Sequence, residues 1–107
     1  MAETPFADPK NRPVPTVTGV KMSEVDRIAV EEVGLDLQRM MEHAGRGLAE
    51  VVLDRRRDAP VTVLAGNGGN GGGGLACARP LANRSVPTRI VLDRDPTEIE
   101  GVTGEQL

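Results

Sequence analysis

Tryptophan and tyrosine are missing from this 107-residue chain, and Phe6 is its single aromatic residue. Neither a base-stacking platform nor an aromatic-lined pocket can come from these residues, so any core is aliphatic. One cysteine, Cys77, excludes an intramolecular disulfide and a thiolate zinc cluster, and one histidine, His43, excludes a multi-histidine metal site. Lysine is scarce too, at Lys10 and Lys21 only. With 13 basic against 16 acidic side chains and a net charge of −3, a basic-patch nucleic-acid binder is disfavoured. The first ten residues, MAETPFADPK, have neither a basic n-region nor an apolar h-region, and no apolar run approaches the ~20 residues of a membrane span. A soluble protein of a reducing, cytoplasmic compartment is expected, with neither nucleic acid nor membrane as a partner.

The length suits about one small domain. Residues 1–16 carry Pro5, Pro9, Pro13 and Pro15 with no hydrophobic period, which predicts a flexible leader before a domain over 17–107. From Met22 the pattern is helical: Met22, Val25, Ile28, Ala29 and Val33 recur every three or four residues, with Ser23 and Asp26 resembling a capping box and Gly34 placed to end the turn. A second helix is predicted behind Asp36 as N-cap. Its apolar face is Leu37, Met40, Met41, Ala44, Leu48, Val51 and Val52, and Arg55, Arg56 and Arg57 stand at its negative end before Pro60. Those arginines suit a solvated helix terminus better than a phosphate contact.

Val61-Thr62-Val63-Leu64-Ala65 is short, apolar and β-branched, as a buried parallel strand is. A third helix is expected over Leu75, Ala76, Ala78, Leu81 and Ala82, and a second strand at Thr88-Arg89-Ile90-Val91-Leu92. Strand, glycine loop, helix and strand make a βαβ unit, hence an α/β class with a parallel sheet. Pro80 should kink the third helix or cut it short, since it removes a backbone hydrogen bond at a cost of about 3 kcal/mol.

Between the first strand and that helix lies Gly66-Asn67-Gly68-Gly69-Asn70-Gly71-Gly72-Gly73-Gly74, in which all but Asn67 and Asn70 are glycine. Such a run turns sharply and lets a ligand reach the amide N–H groups, while the helix behind it favours anions. Gly66, Gly68 and Gly71 satisfy G-x-G-x-x-G, and Asp93 ends the next strand where a ribose-binding acid would sit, so a simple dinucleotide site is open. A Walker loop is not, because no lysine follows Lys21.

The segment GNGGNGGGGLACARPL, residues 66–81, resembles the signature G-x-G-N-N-G-G-D-G-L-x-x-A-R-x-L of the YjeF N-terminal domain family, the NAD(P)H-hydrate epimerases. Two upstream blocks agree in order: Met22-Ser23-Glu24-Val25-Asp26 resembles M-x-x-x-D, and Met41-Glu42-His43-Ala44-Gly45-Arg46 resembles M-E-N-A-G-R. The resemblance implies a Rossmann-like three-layer α/β/α fold with a parallel sheet, here truncated to two helices and a strand-helix-strand unit. It further implies an isomerase that interconverts the R and S forms of hydrated NADH and NADPH, so that a companion dehydratase can repair them, assisted by potassium. Carried across by position, Gly69, Asn70, Gly71, Gly72 and Gly73 would line the nucleotide, and Asn70 would offer an oxygen to potassium, a hard cation.

Three positions depart from that signature: Gly69 replaces an Asn, Gly73 an Asp, and Pro80 a residue that is often His. The family's catalytic acid belongs to a downstream D-x-P-S-G segment that has no match here, so no catalytic residue is assigned. Two strands are about half of a sheet of this class, which usually has about 4–6 strands. The chain is therefore expected to be the N-terminal half of an epimerase that binds nucleotide without turnover, partnered by the missing half or by a second copy. A non-catalytic nucleotide-binding, scaffold or dimerisation module and an inactive remnant are the alternatives.

Other residues invite simpler explanations. His43 suits a packed or solvated helix position, Cys77 a small buried hydrophobe rather than a thiolate, and Met22, Met40 and Met41 gap filling. Asp26 suits an acid that complements the start of a helix.

Overall fold

The computed structural model describes residues 6–107, and these divide into two compact units, one ending at Leu35 and one spanning Asp36–Leu107. The leader expected over 1–16 lies partly outside the described residues. Within its described part Ala7 and Pro13 form an antiparallel bridge, closed by Asp8, whose carboxylate accepts from the backbone N–H groups of Lys10 and Arg12, each at 2.9 Å.

The helix of the first unit, α1 (Gly19–Glu31), begins earlier than the spacing predicts. Its N-cap is Thr18, whose hydroxyl accepts from Lys21 N–H at 3.2 Å, so Ser23 and Asp26 lie inside the helix instead of opening it. Thr18 wins because its extended backbone and oxygen satisfy a free N–H at no cost to the helix. Gly34, at φ +82°, ends the turn as anticipated.

In the second unit α2 (Leu37–Arg55) opens on Asp36, whose carboxylate accepts from Arg39 N–H at 3.1 Å. The strands β1 (Val61–Ala65) and β2 (Thr88–Leu92) pair in parallel, Val61 with Thr88 through Ala65 with Leu92. Between them runs α3 (Gly69–Asn83), and a 3₁₀ turn (Pro96–Glu98) leads to the short α4 (Gly101–Gly104).

Two expectations about α3 are corrected. The glycine run is not a loop: only Gly66, Asn67 and Gly68 lie outside the helix, which begins at Gly69. Pro80 does not cut the helix short either, for it continues to Asn83. The proline stands in the last turn, where a single rung to the Ala76 carbonyl is lost, and the helix is held by burial of Ala76, Cys77, Ala78 and Leu81.

The core is small and aliphatic. Ala49, Cys77, Leu81 and Val86 form its centre, with Val52, Leu53 and Val61 packed around them. The face α2 turns to α3 also differs from the expected one: Gly45 and Ala49 are its buried residues, while Leu37, Leu48 and Val51 stay about half exposed. Small side chains win because they let the helix backbones approach. A Cβ on Gly45 would stand 2.6 Å from the Cβ of Ala76. Across the same interface Arg79 and Glu42 come within 3.9 Å, an exposed pair that contributes no more than about 1 kcal/mol.

Candidate functional site: the glycine turn between β1 and α3

The turn starts where β1 ends. Gly68, the N-cap of α3, is extended and brings no side chain to cap the helix, and its carbonyl accepts the first helical bond from Gly72 N–H at 3.0 Å. The N–H groups of Gly69, Asn70 and Gly71 therefore have no partner inside the helix, and they stand at its positive end. Such an end is suited to receive phosphate.

The glycines of this turn divide into two sets. At Gly71 a Cβ would collide with the Gly66 carbonyl, and at Gly72 it would lie 2.6 Å from Met41 Sδ and 2.9 Å from Thr103 Oγ1. The backbone obstacle makes Gly71 a requirement of the fold, whereas a side chain at Gly72 would have to displace the end of Met41 and the Thr103 hydroxyl. At Gly68, Gly69 and Gly73 a Cβ would meet nothing within 4 Å. No contact inside the chain requires glycine at Gly69 or Gly73, although each costs the helix up to about 1 kcal/mol relative to alanine. Asn70, between the two sets, is exposed.

Beside the turn, at the carboxyl ends of the strands, a shallow cleft of ≈ 270 Å³ is lined by Leu64, Ala65, Gly66, Val91, Leu92 and Asp93. This is the end at which open parallel sheets bind ligands. Asp93 closes it, with Oδ2 3.6 Å from where a Gly66 Cβ would lie. Both its oxygens accept from Arg94, at 2.8 and 3.0 Å, and that hydrogen-bonded pairing holds the carboxyl below the usual carboxylate range. Asp93 is thus an acceptor and a poor proton donor at neutral pH.

Sequence reasoning missed Thr103. Its hydroxyl donates to the Gly68 carbonyl at 2.9 Å although it lies 35 residues further on, and it is almost fully buried. Nothing in the sequence signals that contact, because α4 is too short to show a period. Of the remaining candidates, Met22 is half exposed and not part of a core, and Asp26 lies inside α1 and not at its start, whereas His43 and Cys77 take their simpler explanations. His43 is exposed on α2, and burial pushes the Cys77 thiol above its ordinary value, the opposite of an activated thiolate. Arg56 donates to the Ala59 carbonyl at 2.6 Å, which closes the end of α2.

A cation would find few ligands here. Among the described residues no three of His, Cys, Asp and Glu gather to hold a metal ion. Asn70, exposed at the start of α3, offers a single hard amide oxygen. No helix of the described residues is long and apolar enough to cross a membrane.

The family described as YjeF-related protein N-terminus matches residues 37–107, the stretch that holds α2, the glycine turn, both strands and α4. The chain belongs to this family. An NAD(P)H-hydrate epimerase of Dehalogenimonas lykanthroporepellens is 45% identical over 107 aligned positions, covering 95% of this chain and 43% of that protein. Another, from Elusimicrobium minutum, is 45% identical over 75 positions, 66% of this chain and 34% of that protein. The chain thus spans less than half the length of these relatives. A yeast protein of known crystal structure superposes with a TM-score of 0.74 at 26% identity, over 87% of this chain and 42% of that one. The Rossmann-like α/β class of this YjeF-type chain agrees with that likeness, its sheet here reduced to a parallel pair.

Proposed function

We propose that this chain is the nucleotide-binding portion of an NAD(P)H-hydrate epimerase, which interconverts the R and S forms of hydrated NADH and NADPH. The observation that carries the reading is the start of α3 directly behind β1, where Gly68 brings no capping side chain and the N–H groups of Gly69, Asn70 and Gly71 take up no helical bond. The names of relatives at 45% identity supply the substrate class. The diphosphate lies against the N–H groups of Gly69, Asn70 and Gly71, with Gly73 one turn further along the same helix; Gly72 serves by admitting Met41 and Thr103. Asp93 accepts from the ribose hydroxyls at the mouth of the cleft.

Potassium, when bound, supplies positive charge that offsets the phosphates, and Asn70 gives it one oxygen. No described residue at the turn is a suitable acid or base, since Asp93 is committed to Arg94. Binding without turnover follows. The test is calorimetric titration of the 107-residue chain with hydrated NADPH, alongside chromatographic timing of R to S exchange. Saturable heat with exchange at the spontaneous rate is expected. Accelerated exchange overturns the assignment of no catalytic residue, and absence of saturable binding overturns the whole reading.

A second reading, a non-catalytic scaffold or dimerisation module, is favoured by Leu64, which is 77% exposed on the open face of the sheet. A compact monomer in light scattering argues against it.

A further inference from the structure

An N-cap residue normally orients the first turn of its helix through its own side chain. Gly68 has none, and no local bond fixes the peptide that joins it to Gly69 except the Gly72 rung. The second fixed point comes from a distance. Thr103 donates its hydroxyl to the same Gly68 carbonyl at 2.9 Å, in addition to the 3.0 Å bond from Gly72 N–H. Because the peptide unit is planar, holding that carbonyl also sets the direction of the Gly69 N–H, the first free donor of the turn.

Thr103 is itself held. It is 5% exposed, and the missing Cβ of Gly72 leaves the space its hydroxyl occupies. The segment before it is fixed by the Asp95–Glu98 capping box and by buried Ile99, and a Cβ on Gly104 would collide with the Ile99 carbonyl. The α4 turn is therefore seated against α3 by contacts independent of any ligand.

We propose that Thr103 is a positioning residue for the glycine turn, aiming the Gly69 N–H at the incoming diphosphate through the Gly68 carbonyl. The proposal rests on the nucleotide-binding reading for its ligand, but its structural half stands without one. The experiment compares Thr103→Val, Thr103→Ala and Thr103→Ser in the full chain by ¹⁵N NMR of the Gly69 amide without ligand and by calorimetry with hydrated NADPH. Removing the hydroxyl shifts the Gly69 resonance, speeds the hydrogen exchange of the Gly72 amide bonded to the same carbonyl and weakens binding roughly five- to tenfold. Thr103→Ser restores all three; a loss of packing alone would not be rescued by the smaller hydroxyl residue. If Val does not fold in place of Thr103, the Ala and Ser variants carry the comparison. An unchanged Gly69 amide in the hydroxyl-free variants, or a Ser variant as impaired as they are, overturns the proposal. A wild-type chain that binds no hydrated NADPH overturns the functional reading instead, and the Gly69 amide then decides the structural half.

Discussion

Gly45 of α2 faces Ala76 of α3 so closely that a Cβ at Gly45 would lie 2.6 Å from both the Cβ and the carbonyl carbon of Ala76. Two of the three blocks that carry the family resemblance, residues 41–46 and 66–81, are therefore two sides of one helix contact, with Met41 against Gly72 one turn away. Gly45→Ala forces the backbones apart in a core that has little else to hold it. A loss of about 1–3 kcal/mol is expected, the cost of overpacking, read as a lowered urea midpoint with unchanged slope.

Gly73→Ala should act in the opposite direction on stability. Its Cβ enters open space, and alanine favours the helix by up to about 1 kcal/mol. A methyl is smaller than the Asp of the family signature at this position, so the approach to the turn stays open. Thermal melting should show a stabilised variant, and titration with hydrated NADPH one that binds equally tightly. A variant stabler but clearly weaker would place the ligand against Gly73 itself.

Asp93 sets the expected pH dependence. Its pairing with Arg94 lowers the folded-state pKa, so the ion pair is fully present above the ordinary carboxylate value of 3.8 and is lost as pH falls through the lowered one. Affinity for hydrated NADH, which carries no titrating phosphate monoester, should stay flat between about pH 5 and 8 and fall only below about pH 4. Loss of affinity near pH 6 would identify another group as the acceptor.

Gln106 is 6% exposed, and neither atom of its side-chain amide has a partner among the described residues. A buried unpaired amide costs about 1–3 kcal/mol. Gln106→Met keeps the unbranched shape and removes the polar atoms, so it should raise the free energy of unfolding by about 1 kcal/mol in chemical denaturation.

Both strands could be read from sequence with the bounds the structure has, because Val61–Ala65 and Thr88–Leu92 are β-branched runs fenced by Pro60, Gly66, Pro87 and Asp93. Asp36 was legible as a cap for the same local reason. The errors arise where a tertiary contact outweighs local preference. Glycine reads as loop, yet the run from Gly69 onward is helical, and at Gly71, Gly72 and Gly74 the neighbouring Gly66, Met41, Thr103 and Val63 leave little room for a side chain. The buried face of α2 follows its small residues, not its largest apolar ones, for which the spacing of Gly45 and Ala49 was the available signal. Of the candidate site, the turn and Asp93 could be found from spacing, whereas Thr103 acts over 35 residues and leaves no local trace.

The most direct test of the account is amide chemical-shift mapping of the ¹⁵N-labelled chain during titration with hydrated NADPH. The account predicts saturable shifts centred on Gly68, Gly69, Asn70 and Gly71, with Asp93 at the edge of the affected region. Shifts centred on α2 instead, or none at millimolar nucleotide, would contradict it.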